Sequence, residues 1–288
     1  MRKEFFFCFT FLLVLTSFVL AQFPTNFESS LVPNLDFDAV AYVGPEAISL
    51  LMPSISRIMN LSLENLTYEI NSLVAWLSPV ENSEVVGFSI EFANKNITQN
   101  IYERIENPDV WKYLDENTLY LIYGNFSEGV REKIVSGDFI YLKDKIPEVY
   151  SLPILNQNSI SIGYIKVSDN LINFVKQFAD EDIKDKLGYI KLLGIDYTIF
   201  NVYSSENSTS QGFKSLILIK SKYPKFLVDL VLRIAPHFTP LEKVPEGYRI
   251  PINEITAYLK TKGDWFSKAN IFASVGSEKE ARQLINSV

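Results

Sequence analysis

The chain offers few side chains of the types that enzymes use for nucleophilic, redox or zinc chemistry. Its 288 residues include one histidine, His237, and one cysteine, Cys8. A zinc site would need carboxylates beside that single histidine, which is an uncommon ligand set. A Ser-His-Asp triad would have to use His237, but the sequence has no Gly-x-Ser-x-Gly turn to present the serine. The proline-containing surroundings of His237 predict an exposed or half-buried loop side chain.

Carboxylates are plentiful, and a pair of them could serve glycoside hydrolysis, but nothing in their spacing selects a pair. The acidic run from Asp180 to Asp185 has the composition of a calcium loop. It lacks the required glycine, and Lys184 occupies a ligand position, so we interpret the run as a solvated link between helices. Neither a Walker motif nor Gly-x-Gly-x-x-Gly is present. The sequence therefore predicts no catalytic residue, no cofactor site and no metal site.

The three tryptophans, Trp76, Trp111 and Trp265, could stack on sugar rings. Tryptophan is more often found in a core or half-buried beside one. We therefore expect all three to be core or half-buried side chains.

One strand–turn–helix unit, residues 158–178, organises the chain. Ile160, Ile162 and Tyr164 alternate with small residues, which predicts a strand with one buried face. Ser168 is placed to cap the following helix. That helix carries an apolar stripe at i, i+3, i+4 and i+7, formed by Leu171, Phe174, Val175 and Phe178.

Similar units recur four times, each with a strand followed by a helix start. The strands are residues 40–43, 119–123, 216–219 and 271–275, and the helix starts lie at Gly44-Pro45, Ser127, Pro224 and Ser277, the last with Glu280 at capping-box spacing. Their order predicts a two-fold internal pseudo-repeat, with a first α+β half at 31–145 and a second half at 151–288 that carries an insertion. The alternative is that any α+β chain yields such similar segments by chance.

Between these units the pattern predicts a helix at 63–77, strands at 85–92, 197–203 and 213–220, a short helix at 183–193, a loop at 236–251, and a hairpin of 255–260 with 265–275. Strands joined by hairpins and interleaved with helices are typical of α+β proteins. We therefore predict a mostly antiparallel sheet with helices packed on one face.

The first 21 residues have the pattern of a secretory signal peptide. Arg2 and Lys3 precede an apolar run at 5–20, which is short for a membrane span, and Ala21 suits a cleavage site. Cleavage would remove Cys8 and leave a cysteine-free chain, which favours export to a bacterial periplasm or the extracellular space over a disulfide-rich eukaryotic route. The alternative is an uncleaved N-terminal anchor.

The net charge of −7 makes nucleic acid and anionic lipid poor partners. We expect an unknown protein or a small ligand as the partner, and membrane contact only if the N-terminal segment is uncleaved.

A resemblance to known proteins is found in two segments, Val40-Ala41-Tyr42-Val43 and Val275-Gly276-Ser277-Glu278. They resemble elements of secreted or membrane-anchored bacterial proteins of unknown function, in which a Leu-Pro lead-in precedes repeated strand–turn–helix units. The resemblance covers about a third of the chain and implies no catalytic residues.

These observations favour an exported bacterial envelope protein with a non-catalytic binding or structural role. The alternatives are a carboxylate-dependent hydrolase acting on envelope glycans or peptides, and an N-terminally anchored accessory subunit. A pocket with two converging carboxylates, one of them buried, would favour the enzyme. An exposed apolar patch would favour a binding module.

Overall fold

A computed structural model describes most of the chain. It covers residue 27 and residues 29–45, 47–48, 69–80, 83–123, 128–152, 159–178, 194–204, 213–237, 240–252 and 255–288. Several expectations lie outside these residues, namely the signal peptide at 1–21, the cap at Ser127, the acidic run at 180–185 and the helix at 183–193.

A twelve-stranded antiparallel sheet dominates the structure, and a separate two-stranded sheet lies beside it. The strands are β1 Leu31–Pro33, β2 Ala39–Val43, β3 Ile70–Val80, β4 Ser83–Phe92, β5 Val110–Asp115, β6 Thr118–Tyr123, β7 Phe139–Tyr141, β8 Ser159–Lys166, β9 Ile195–Ser204, β10 Phe213–Pro224, β11 Glu242–Val244, β12 Gly247–Ile252, β13 Ile255–Lys262 and β14 Lys268–Gly276. The large sheet has the order β11-β12-β13-β14-β10-β9-β8-β2-β3-β4-β6-β5, and β1 pairs with β7. The predicted antiparallel α+β class is confirmed.

Six α-helices lie within the described residues, together with a helix start at Pro45. They are α1 Lys95–Arg104, α2 Glu128–Val135, α3 Leu142–Lys145, α4 Asp169–Phe178, α5 Lys225–Ile234 and α6 Glu278–Asn286. Two 3₁₀ turns, Pro147–Ser151 and Ala235–His237, follow α3 and α5.

Helices cover both faces of the sheet, so the expectation of helices on one face was wrong. Along β2, Ala41 belongs to one hydrophobic cluster and Tyr42 to another, because successive strand side chains point to opposite faces. The first face, which carries Ala41, packs against Ile101 of α1 and Leu171 of α4. The second face, which carries Tyr42, packs against other side chains, including Val130, Leu142, Ala281 and Ile285. A central strand such as β2 is apolar on both sides and needs cover on both.

The chain halves meet at the pairing of β2 with β8, in which Tyr42 lies opposite Ile162. From that seam the order β2-β3-β4-β6-β5 runs one way and β8-β9-β10-β14-β13 runs the other, followed by β12 and β11. A pseudo-repeat with an insertion in the second half would produce a strand order of this kind on the two sides of the seam. The repeat and the division at 31–145 and 151–288 stay predictions.

The predicted helix starts differ in their chemistry. The Leu171 amide donates to Ser168 Oγ at 3.0 Å, as expected for a cap. A helix begins at Pro45, and the Ile48 amide donates to the Gly44 carbonyl. Ser277 precedes α6, but its hydroxyl donates to Glu280 Oε2 at 2.5 Å and accepts no amide hydrogen bond from the helix start.

Two segments were assigned wrongly. Where the pattern predicted a helix at 63–77, the structure has β3 beginning at Ile70. Leu73 and Val74 are both buried because β3 is covered on both faces, and this continuous burial imitates helical spacing. The predicted loop at 236–251 contains β11 and most of β12. The pairing of β12 with the edge strand β11 ends at Arg249, so Pro251 lies where that side of β12 is open and no amide donor is needed.

Candidate functional site

The residues singled out for chemistry differ in how deeply they are buried. His237 is exposed at the end of a 3₁₀ turn, as expected. Trp76 is fully buried, and Trp111 is half-buried and stacks on Tyr113 at 6.1 Å between ring centroids. Trp265 was expected to be core or half-buried, but it is exposed in the turn between β13 and β14. A hairpin turn projects from the sheet end and has no layer above it, which explains the difference.

Two carboxylates are buried in the part of the chain that the structure describes, Asp38 and Glu280. The Ser168 hydroxyl donates to Asp38, and the Ser277 hydroxyl donates to Glu280. Both acids thus hold helix starts in place. Since they lie on different elements with structural partners, they do not form the converging pair that a glycosidase would need.

Exposed apolar side chains gather at the end of β10, on α5 and on the neighbouring hairpin turn. We call this set the apolar ridge, and it comprises Tyr223, Leu227, Leu230, Val231, Ile234, Trp265 and Phe266. Phe266 is 82% exposed and Val231 is 55% exposed. Contiguous exposed apolar surface of this kind marks a site of interaction with a protein or a membrane.

The turn is fastened to the start of α5, so the ridge is one unit. The Lys225 amide donates to the Ser267 carbonyl at 2.8 Å, and the Phe226 amide donates to the Trp265 carbonyl at 3.1 Å. The Phe226 ring packs against both exposed rings, with centroid distances of 6.1 Å to Trp265 and 6.0 Å to Phe266. These contacts hold both aromatic side chains beside the helix.

The side of α5 that faces the sheet carries charge. Lys225 Nζ lies 2.5 Å from Asp229 Oδ2, and the Thr261 hydroxyl donates to Asp229 Oδ1 at 2.6 Å. Thr261 alternates with the second-face residue Tyr258, which places it on the first face. Burial acts to raise the pKa of Asp229, but the hydrogen bonds from Lys225 and Thr261 outweigh it and lower that pKa. Helix α5 therefore turns Val228 and the Lys225–Asp229 ion pair toward the sheet and much of its apolar surface outward.

The segments that carry the ridge are rich in cationic side chains, although the whole protein is acidic. Residues 213–237 contain five Lys or Arg and one Asp, and residues 255–268 contain three Lys and one Asp. Lys222, Arg233 and Lys262 are exposed. These segments are thus basic, although the whole chain carries −7.

A polar cavity of about 220 Å³ lies on the second face, at the end of β3, β4 and β6. Three carboxylates line it: Glu91 is half-buried, while Asp115 and Glu116 are exposed. The other lining residues are Ser29, Ser30, Leu31, Ser72, Val74, Ser89, Asn117, Thr118 and Tyr120. Since the half-buried acid has only exposed acids beside it, the cavity lacks the buried proton donor that a glycosidase uses.

Hydroxyl groups at and behind this cavity differ in their partners. The Ser72 hydroxyl donates to Glu91 Oε2 at 3.0 Å. Ser89 is only 3% exposed, and its Oγ has no hydrogen-bond partner among the described residues. The Tyr42 hydroxyl is likewise buried and without a partner in this part of the chain. Burial, and secondarily the charge of Glu91, raise the pKa of Tyr42.

No group of three or more His, Cys, Asp or Glu among the described residues could hold a metal ion. Within the same ranges, none of the helices combines the length and apolar character needed to cross a bilayer.

Comparison with known proteins gives limited guidance. No protein-family model matches the chain, and no curated protein matches its sequence. Crystal form III of TP0453 aligns with a TM-score of 0.47 at 11% identity, over 89% of this chain and 96% of that chain. Crystal form I of TP0453 gives a TM-score of 0.45 at 13% identity, over 90% of this chain and 98% of that chain. At these scores we draw nothing about function from the similarity.

Sequence reasoning missed both the ridge and the cavity. Residues 224–235 are mostly apolar, and the adjacent aromatic pair Trp265-Phe266 follows a Gly-Asp turn signal. Together these two signals could have indicated the ridge. The cavity brings residues 29–31 together with 115–118, and no local pattern predicts that contact.

Proposed function

We propose that this chain is an exported, non-catalytic protein of a bacterial envelope that binds a lipid bilayer surface through the apolar ridge. The orientation of α5 carries the proposal. Leu230, Val231 and Ile234 lie in solvent while Lys225 and Asp229 face the sheet. A helix with this orientation leaves apolar area exposed to water, at a cost of about 25 cal/mol per Å².

A bilayer surface fits the ridge better than a protein groove does, because of its aromatic and basic groups. Trp265 and Phe266 stand at a turn, where aromatic rings can enter the headgroup region. Lys222 and Lys262 are exposed and lie next in sequence to Tyr223 and to the turn that carries Trp265 and Phe266, and basic side chains near an apolar helix attract anionic lipids. Binding would therefore combine burial of the ridge with attraction to negative headgroups.

Sedimentation with lipid vesicles tests the proposal. Vesicles of phosphatidylethanolamine with phosphatidylglycerol are mixed with the wild-type protein or with a Val231→Ser variant. We expect the substitution to weaken vesicle binding about three- to tenfold, because it removes part of the buried apolar area.

Val135→Ser is the matched control. Val135 is 55% exposed, as Val231 is, but it lies on α2 of the second face and away from the ridge. This variant should bind vesicles like the wild type. Equal losses in the two variants, or a wild-type protein that stays in the supernatant, would refute the proposal. Dimerisation that is lost only in Val231→Ser, without vesicle binding, would assign the ridge to a second copy instead.

Export is tested separately by N-terminal sequencing of protein recovered from a bacterial envelope. A chain beginning at Gln22 would support cleavage after residue 21. A chain beginning at Met1 would support the anchored-subunit alternative. Either result leaves the vesicle comparison of the two valine variants valid, because both variants share the same N-terminus.

A further inference from the structure

We propose that the polar cavity beside Glu91 binds a small amino alcohol or amino sugar, with the ligand's ammonium group at Glu91 and one of its hydroxyl groups at Ser89. This inference is independent of the apolar ridge, which involves other strands of the sheet. It depends on the charge, the hydroxyl groups and the size of the cavity.

The charge of the lining selects a cation. Glu91, Asp115 and Glu116 contribute three carboxylates, and no Lys or Arg is among the lining residues that the structure describes. One Glu91 oxygen accepts the Ser72 hydroxyl at 3.0 Å. Hydrogen bonds between an ammonium group and a carboxylate are stronger than neutral ones, so Glu91 is the natural anchor for an amine. A metal ion is a poor alternative, because the described residues contain no group of three or more suitable ligands.

The unpartnered hydroxyl of Ser89 indicates that a polar group completes the site. Ser89 is buried between two strands, lines the cavity, and has no hydrogen-bond partner among the residues described. Buried polar groups nearly always have a partner, so an occupant that can bond to this hydroxyl is expected. A ligand hydroxyl can both donate to and accept from Ser89 Oγ.

The size of the cavity limits the ligand. Its volume of about 220 Å³ is smaller than the roughly 300–1,000 Å³ of pockets for drug-sized molecules. The side wall at Ser30 is fixed, because the Leu142 amide donates to the Ser30 carbonyl at 2.9 Å. A monosaccharide amine or a smaller amino alcohol therefore fits, and a long polyamine does not.

Calorimetric titration of the full chain with glucosamine, and separately with glucose, tests the inference. The two sugars differ in the amino group. We expect glucosamine to bind with a dissociation constant of about 1 mM or lower, and glucose to bind at least tenfold more weakly. Ethanolamine, a smaller amino alcohol, should compete with glucosamine.

Two substitutions and one control locate the site. Glu91→Gln keeps the shape of the side chain and the acceptor for Ser72, and it should weaken glucosamine binding about tenfold or more. Ser89→Ala should weaken it about threefold to tenfold. Glu132→Gln makes the same charge change on the exposed surface of α2 and should have no effect. Thermal unfolding of each variant verifies that it is folded.

Three results would overturn the inference. They are the absence of saturable glucosamine binding, equal affinities for glucose and glucosamine, and equal losses in Glu91→Gln and Glu132→Gln. The first would mean that ordered water alone satisfies Ser89. The other two would mean that contact with glucosamine is non-specific.

Discussion

The indole of Trp76 occupies the space above Gly87, its partner across the β3–β4 pair. A Cβ placed on Gly87 would lie 1.9 Å from Trp76 Cζ2, far inside contact distance. Phe200 covers Gly163 in the same way on the first face, and a Cβ there would lie 1.9 Å from Phe200 Cζ. Each glycine thus allows one large aromatic ring to lie flat on the sheet beneath the helices.

Gly87→Ala should destabilise the fold by at least about 2 kcal/mol, because Trp76 is fully buried and has no free space into which to move. Chemical denaturation measures the change in the free energy of unfolding. Gly129→Ala is the control, since Gly129 is exposed within α2 and the substitution should stabilise that helix by about 0.5–1 kcal/mol. Similar effects from both substitutions would contradict the packing described for Trp76.

Ser168→Ala should cost about 1–3 kcal/mol of stability. The Ser168 hydroxyl accepts from the Leu171 amide and donates to Asp38, which is 2% exposed, so its removal leaves a buried carboxylate short of a donor. Ser277→Ala offers a matched comparison, because that hydroxyl also donates to a buried carboxylate, Glu280, but caps no backbone amide of its helix. It therefore loses one hydrogen bond where Ser168→Ala loses two, and we expect its cost to be smaller by about 1 kcal/mol. A larger loss at Ser277 would refute the difference between the two caps.

The protein should lose stability at alkaline pH. Burial raises the pKa of Tyr164 to about 12, with smaller contributions from Glu148, Tyr197, Asp196 and Asp38, and burial also raises the pKa of Tyr120 and Tyr203 above 10. The unfolded chain therefore releases tyrosine protons first as pH rises. The stabilisation is complete below pH 10 and is lost as pH rises through 12.

Denaturation midpoints measured at pH values from about 8 to 12, together with tyrosinate absorbance, would verify this. Tyr164→Phe should show a smaller decline. A midpoint that stays constant across the range would contradict the prediction.

Binding to anionic vesicles should depend on salt and on the basic side chains near the ridge. Lys262→Gln should weaken it by about fivefold at low salt, since each basic residue near such a surface contributes about 1 kcal/mol. Lys279→Gln, an exposed change on α6, should have little effect. Vesicles of neutral phosphatidylcholine should bind wild type and Lys262→Gln alike. If Lys262→Gln and wild type are indistinguishable on both vesicles, the basic residues play no part.

The start of α4 could be predicted from the sequence, since Ser168 caps it as expected. The expected single buried face of β8 was wrong, because residues 160–163 are all buried, and the irregular pairing between Ser159 and Ser161 places Ile160 in the first-face cluster and Ile162 in the second-face cluster. Elements covered on both faces could not be predicted reliably. Leu73 and Val74 are both buried in β3, so the alternation that distinguishes a strand from a helix is missing.

The two candidate sites were harder to predict from the sequence than the fold was. Trp265 was expected near a core because burial is the usual state of tryptophan, and only the placement of its turn at the sheet end reveals its exposure. The carboxylate of Glu91 is one of 34 acidic residues in the chain. Glu91 stands out only because Ser89, two residues before it on β4, lacks a hydrogen-bond partner among the described residues. The burial of Ser89 without a partner is a result of packing and cannot be predicted from the sequence.

The seam between β2 and β8 gives this fold a route to self-association. Every residue of β2 is buried, and the seam is the place where the first half of the chain meets the second within one sheet. If two molecules opened there, the first half of one could pair with the second half of the other and regain every backbone hydrogen bond of the seam. We therefore expect intertwined dimers to form on refolding at high concentration. We also expect two separately synthesised halves to reconstitute the fold.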